Sequence, residues 1–170
     1  QGAAPNLRGY FLQSQDGAGD GNSLTSDGIF VFTANDDTVN QGDLVRVVGT
    51  VGENFDQTQL SNSTVSNCGT GYTVANTTLS FPVLAASGVV DFLERYEGMM
   101  VTIPQTMTVS DLYFYGRFHQ IVLSADGRLI QPTHLYEAAT PERAALQEAN
   151  DLRRILLDDP LNGQNLMPLS

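Results

Sequence analysis

The sequence predicts a mainly all-β protein: a small OB-like β-barrel, a second β-rich segment and a short C-terminal helix. In the first half, four or five runs of apolar and β-branched residues recur at spacings of about ten residues, with turn formers between them. Apolar residues make up 41% of the 170 residues, which is enough for a packed core. We expect the barrel at residues 1–80, the second β-rich segment packing on it at 81–137, and a helix with a linker at 138–170.

Turn chemistry separates the strands of the first region. The apolar run Gly9–Ser14 ends in a stretch of Gly, Asp, Asn and Ser, and Gly28–Thr33 is bulky on both faces, which predicts a central strand. Leu44–Gly52 is β-branched and contains two glycines, which indicates a bulged or bent strand. Weaker, partly exposed strands are predicted at Thr58–Ser61 and Gly71–Val74.

The second half contains helix signals near both of its ends. Val89–Glu97 is compatible with one or two helical turns, and Thr140 and Pro141 predict the N-cap and first residue of a helix to about Asn150. Residues 153–157 are ambiguous, and the tail after residue 160 is typical of a linker. Further strands are predicted at Met99–Ile103, Thr106–Val109, Phe118–Ser124 and Arg128–Gln131, the last two joined by a hairpin turn at residues 125–127.

Charge and residue counts exclude several classes of protein. The net charge is −11 and all eight cations are Arg, so the surface repels polyphosphates at long range and suits divalent cations. A single Cys68 excludes an internal disulfide and CxxC zinc sites, and His119 and His134 lie in no catalytic signature, so we expect no enzyme. No run approaches the ~20 apolar residues of a membrane span. Because the chain opens at Gln1 without an apolar leader, we expect that any signal peptide was removed or lies outside this sequence.

An acidic loop is the candidate metal site, formed by Asp16, Asp20, Asn22 and Asp27. Calcium prefers several oxygen ligands from a flexible loop, so calcium is the one cofactor that the sequence indicates. The spacing departs from the EF-hand pattern, and no Glu stands at the closing position. The alternative is a solvated hairpin loop, because Gly and Asp also form ordinary turns.

Aromatic and basic residues on the first strands are the candidate nucleic-acid contacts. Arg8, Tyr10, Phe30 and Arg46 are the four residues we select, because OB barrels stack bases on strand aromatics. Residues 113–117 contain a second aromatic cluster with an arginine. The alternative is that these aromatics belong to the core, and the negative net charge also opposes DNA binding.

Six segments of the chain, taken together and in order, carry a family resemblance. They are Leu7–Ser14, Ser26–Phe32, Gly42–Val51, Glu94–Met99, Gly127–Thr133 and Asn150–Asp159. The set resembles large extracellular bacterial nucleases with a catalytic domain of the endonuclease/exonuclease/phosphatase (deoxyribonuclease-I-like) type. The first three segments resemble the OB-like domain ahead of the nuclease domain, and the last three resemble the stretch that joins the two domains.

The resemblance implies a secreted, non-catalytic accessory module whose partners are the C-terminal nuclease domain of the parent chain and DNA. It also implies that the parent is a metal-dependent endonuclease. The alternative is a calcium-stabilised structural or interaction domain without nucleic-acid contact. In the family a further strand precedes the segment matched by Gly9–Gln13, so we expect the first barrel strand to be missing here. Its open sheet edge would then need cover from Met99–Ile103 or from a partner chain.

Overall fold

A computed structural model describes residues 7–34, 38–84, 89–161 and 163–165. Two compact units make up the chain. Unit 1 comprises Gln1–Thr77, Leu93–Thr102 and Pro160–Asn162, and unit 2 comprises Thr78–Phe92, Ile103–Asp159 and Gly163–Ser170. Strands account for most of the regular structure, which confirms the predicted β-rich class.

Four strands form the sheet of unit 1. They are β1 (Gly9–Gln13), β2 (Gly28–Phe32), β3 (Leu44–Asn54) and β4 (Gln57–Gly69). The strand order is β1–β2–β4–β3, with β2 and β4 parallel and the other neighbours antiparallel. In the described part of unit 1 this sheet is open, with β1 and β3 as its two edges. A register shift between Val48 and Thr50 confirms the predicted bulge in the third strand.

The second strand holds the best-buried side chains of this sheet. Phe30 and Val31, which point to opposite faces, are only 3% and 0% exposed. The ring of Phe30 packs against that of Phe11, its cross-strand partner, at a centroid distance of 5.0 Å. Burial on both faces is the reason why this segment is apolar throughout, and the predicted central strand is confirmed.

A long hairpin joins the third and fourth strands. Its loop consists of Phe55 and Asp56, which have φ angles of 51° and 61°, as the type I′ hairpin turn requires. The strand predicted at Thr58–Ser61 is confirmed but is much longer, because β4 pairs with β3 on one side and with β2 on the other. The side chain of Phe55, at the tip, is 98% exposed.

The strand predicted at Gly71–Val74 is wrong, because this segment is a loop. Gly71 has a φ of +84°, which interrupts an extended strand. The backbone N–H of Tyr72 donates to the carbonyl of Gly42 at 3.0 Å. This segment is therefore held by an isolated backbone hydrogen bond and not by a ladder between strands.

Residues 97 and 98 lie directly against the beginning of β2. The Ser26 hydroxyl donates to the Glu97 carbonyl at 2.5 Å, and the Glu97 carboxylate accepts from the backbone N–H of Thr58 at 2.8 Å. A Cβ atom added to Gly28 would stand 2.5 Å from the carbonyl carbon of Gly98. The two backbones are therefore in direct contact, and Gly28 permits this approach because it has no side chain.

Short elements follow the first sheet. Thr77–Thr78 forms β5, Val89–Glu94 forms helix α1 and Val101–Thr102 forms β6. The helix confirms the predicted helical turns, and β6 lies inside the strand predicted at Met99–Ile103. The backbone N–H of Thr77 donates to the carbonyl of Met100 at 2.9 Å. None of the helices in the described residues is long and apolar enough to cross a membrane.

Unit 2 contains a three-stranded antiparallel sheet and a longer helix. The sheet has the order β7 (Thr108–Asp111), β8 (Ile121–Ser124), β9 (Arg154–Leu157), so the ambiguous residues 153–157 provide a strand. Helix α2 is Tyr115–Phe118, a 3-10 turn covers Pro132–His134, and helix α3 is Pro141–Leu152. The Thr140 side chain accepts from the N–H of Arg143 at 3.4 Å, which confirms the predicted N-cap.

The strand predicted at Arg128–Gln131 is wrong. Both edges of β8 are already occupied, by β7 and by β9, so no edge remains for a hairpin partner. Side chains satisfy the backbone of this segment instead: Leu129 N–H donates to the Ser110 hydroxyl, and the Asn150 amide donates to the Ile130 carbonyl, both at 2.9 Å.

Candidate functional site

The two aromatic residues selected from the sequence lie on opposite faces of the first sheet. Tyr10 is half-buried and pairs with Val31, the neighbour of Phe30, so the side chains of Tyr10 and Phe30 project to opposite sides. With an exposure of 3%, the Phe30 ring is part of the core. The structure does not bring these two rings together on one stacking surface.

The two arginines selected from the sequence are both exposed and are carried by different edges of the sheet. The Arg8 guanidinium is 5.4 Å from the centroid of the Phe32 ring, a cation–π contact at the end of β2. Arg46 lies on β3, at the opposite edge of the strand order from β1. The four selected residues therefore do not form one continuous contact surface.

Side chains of the acidic loop form hydrogen bonds that shape the loop itself. The Asp20 carboxylate accepts from Asn22 N–H at 2.7 Å and from the Thr25 hydroxyl at 3.0 Å. Asp16 accepts from the N–H of Ala75 at 2.5 Å, and the carboxylate of Asp27 lies beside Gly19. In the described part of the chain, no group of three or more His, Cys, Asp and Glu side chains could hold a metal ion. Calcium binding, to which backbone and Asn oxygens also contribute, stays a prediction.

Exposed aromatic rings beside an arginine do occur in unit 2, on the second cluster noted in the sequence. We call this surface the aromatic platform: Tyr113, Phe114, Arg117 and Phe118. The rings of Tyr113 and Phe114 are 81% and 47% exposed and meet edge to face at 4.8 Å. Phe118 lies 5.7 Å from Phe114, and the Arg117 guanidinium lies 4.9 Å from the Phe118 ring centroid. Exposed rings beside a cation are the elements of a base-stacking surface.

Local hydrogen bonds determine the shape of the platform. The Asp111 carboxylate accepts from the N–H of Tyr113 at 2.7 Å, which turns the chain sharply after β7. The N–H of Phe118 donates to the carbonyl of Phe114 at 2.8 Å, and this helical spacing places both rings on one side. Arg117 is held by its Nε–H, which donates to the Gln164 side chain at 2.8 Å. The platform is therefore an ordered surface.

A buried histidine–aspartate pair follows the platform directly. His119 is the C-cap residue that follows helix α2, with a φ of 61°, and its Nδ1 lies 2.7 Å from Oδ2 of Asp159. The two side chains are 6% and 7% exposed, so the pair is shielded from solvent. Gln120 also donates to the Asp158 carboxylate at 2.9 Å. These contacts attach residues 158–159 to the end of α2, so the pair acts as a structural support for the platform.

Phe118 and the His119–Asp159 pair were not among the residues selected from the sequence. Phe118 was placed in a predicted strand, whereas it ends helix α2 and shares a side with Phe114. The spacing of four residues between two Phe residues was the signal available for it. Residues 119 and 159 are 40 positions apart, and no local pattern connects them.

No family model matches the chain, and no curated protein or solved structure is significantly similar to it. The assignment of a site therefore depends on geometry and on residue chemistry. On those grounds the aromatic platform is the better candidate surface, because its Tyr113 and Phe114 rings are exposed while that of Phe30 is buried.

Proposed function

We propose that this chain is a non-catalytic accessory module of an extracellular bacterial nuclease, which positions the catalytic domain of its parent protein and guides DNA to it. The six segments that resemble such nucleases support the nuclease context. The observation that carries the DNA contact is the aromatic platform, in which the rings of Tyr113 and Phe114 are exposed and the Arg117 guanidinium lies over the neighbouring Phe118 ring.

Stacking on the platform requires unpaired bases. A base stacked on an aromatic ring contributes about 1–3 kcal/mol, and this contribution is tolerant of sequence. The net charge of −11 opposes phosphate binding, so short-range stacking and one arginine have to provide the affinity. Single-stranded DNA, or a frayed end, is therefore the proposed ligand rather than an intact duplex.

The same proposal includes an OB-like architecture for unit 1, of which the described residues provide four strands. An OB barrel pairs its five strands in the order 1–2–3–5–4, with strands 3 and 5 parallel. The observed order β1–β2–β4–β3, with β2 parallel to β4, fits strands 2, 3, 5 and 4 of that scheme. This correspondence in both order and direction supports the proposal.

Titration of a fluorescein-labelled oligothymidylate at low salt tests the DNA contact. We expect saturable binding that weakens about fivefold or more in Tyr113→Ala, and that is stronger for the single strand than for a duplex of the same length. Phe55→Ala is the matched control, since Phe55 is also an exposed aromatic residue but lies at the hairpin tip of unit 1.

The salt dependence separates stacking from a general electrostatic attraction. One phosphate neutralised by Arg117 gives a slope of about −0.7 for log K against log salt, and Arg117→Ala removes it. Arg46→Ala, on β3, leaves the slope unchanged. Absence of single-strand binding, or equal losses in Tyr113→Ala and Phe55→Ala, would contradict the DNA role and leave the module as a spacer.

A further inference from the structure

A groove runs along the open side of the unit 1 sheet. This edge groove has a volume of about 940 Å³ and is lined by Tyr10 and Leu12 of β1 and by Leu44 and Val45 of β3. Tyr72 and residues 98–100 complete its walls. The two edge strands of the sheet therefore border one cavity, although neither of them is the other's neighbour in the strand order.

The backbone N–H and C=O groups of every second residue in β1 face away from β2, its partner strand. Ser14 N–H donates to the Asp27 carbonyl and Thr33 N–H donates to the Arg8 carbonyl, at 2.9 and 3.0 Å. Residues 8, 10, 12 and 14 therefore bond to β2, and the alternation of an antiparallel pair directs the N–H and C=O of Phe11 to the other side. In the described residues β1 pairs with β2 alone, so this side offers a template for another strand.

The far wall of the groove does not use that template. Met100 N–H donates to the side chain of Gln13 at 2.8 Å, so residues 99–100 contact β1 through a side chain. Strand β6 begins only at Val101. Met99 and Met100 instead provide flexible apolar walls, which adapt to different side chains of an occupant.

The lining of the edge groove is apolar and acidic. It is mostly apolar and includes Asp43, whose carboxylate accepts from the N–H of Asn40 at 2.9 Å, and among the described residues it includes no cationic side chain. The whole chain has a net charge of −11, which attracts a basic peptide and repels a second copy or a nucleic acid. We propose that the edge groove binds an extended basic peptide, which adds to β1 as a further strand and directs alternate apolar side chains into the groove.

A peptide titration with a residue-specific readout tests this proposal. The probe is a nine-residue synthetic peptide that alternates valine and arginine, and the full chain is observed by amide NMR and hydrogen exchange. We expect saturable binding, with slower exchange of the Phe11 amide and little change at the amides of Tyr10 and Leu12, which already bond to β2. Asp43→Asn is expected to weaken binding about threefold, as for a single partly exposed charge pair.

Control peptides separate strand addition from simple charge attraction. A peptide of the same composition with its valines and arginines in two blocks should bind more weakly, because it cannot direct apolar side chains to one face. A peptide with glutamate in place of arginine should not bind. Asp126→Asn, which removes one exposed carboxylate in unit 2, is expected to bind the alternating peptide as the wild type does.

Three results would overturn the proposal. The first is no saturable binding of the alternating peptide, and the second is binding that leaves the exchange of the Phe11 amide unchanged. The third is protection of the Phe11 amide that appears with rising protein concentration alone, which would assign the edge to a second copy of this chain. None of these results depends on whether the aromatic platform contacts DNA.

Discussion

Replacing Gly28 by alanine tests the contact between β2 and residues 97–98. The new Cβ would stand 2.5 Å from the carbonyl carbon of Gly98, 2.6 Å from its oxygen and 2.7 Å from the Glu97 carbonyl oxygen. All three are backbone atoms, so no rotation of a side chain relieves the overlap. Residues 97–98 have to move away from the strand, or β2 has to shift within the sheet.

The expected loss of stability follows from these distances. Adding a methyl group to a well-packed site costs about 1–3 kcal/mol. Moving the Glu97 carbonyl also weakens its 2.5 Å hydrogen bond with the Ser26 hydroxyl, which contributes about 1 kcal/mol. We therefore expect Gly28→Ala to lower the free energy of unfolding by about 2–4 kcal/mol.

Urea unfolding followed by circular dichroism measures this loss, and Gly52→Ala is the matched control. Gly52 is also a strand glycine, but a Cβ there meets no atom within 4 Å, so we expect a change of about 1 kcal/mol or less, in the stabilising direction. Equal unfolding midpoints for the two variants would refute the reasoning. Such a result would mean that residues 97–98 separate from β2 at almost no cost.

Three further outcomes are expected. Asp159→Ala removes the 2.7 Å contact with the buried His119 and should lower the free energy of unfolding by about 2–4 kcal/mol. Thermal unfolding would detect this as a lower Tm, and an unchanged Tm would contradict a supporting role. Replacing the tip residues Phe55 and Asp56 by Asn-Gly should raise the free energy of unfolding by about 1 kcal/mol, because both positions have positive φ, which Asn and Gly adopt more readily. A lower urea midpoint would contradict the assignment of a type I′ turn. If the acidic loop binds calcium as predicted, the Tm should rise with calcium but not with magnesium, and Asp20→Asn should lose this response. A wild-type Tm that does not respond to calcium would favour the alternative, a solvated hairpin loop.

Strands that are buried on both faces were the ones most accurately predicted from the sequence. Gly28–Phe32 is apolar throughout because both of its faces are covered, so composition alone indicated it. The polar segment Gln57–Gly69 gave a weak signal, and its length derives from pairing with β3 and β2. The hairpin predicted with Arg128–Gln131 is wrong for the opposite reason. Strand β9, which begins at Arg154, occupies the edge of β8 that this hairpin required.

Candidate contacts were harder to predict, because exposure depends on the tertiary structure. Phe30 and Tyr113 both belong to aromatic clusters in the sequence, yet the Phe30 ring is buried and the Tyr113 ring is largely exposed. Nothing local distinguishes them, since strand aromatics belong to the core or to a surface according to what packs on them. The pairing of His119 with Asp159 is likewise invisible in a linear pattern.

The hairpin of β3 and β4 also has a kinetic consequence. Its strands are separated by two residues only, so they can pair in about 1–10 μs without help from distant segments. The parallel pairing of β2 with β4, by contrast, aligns Phe30 with Gln59 and closes a loop that contains the whole of β3. Loop-closure entropy makes this the slower event. We therefore expect the hairpin to be present in the folding transition state and the docking of β2 onto its exposed edge to set the refolding rate of unit 1.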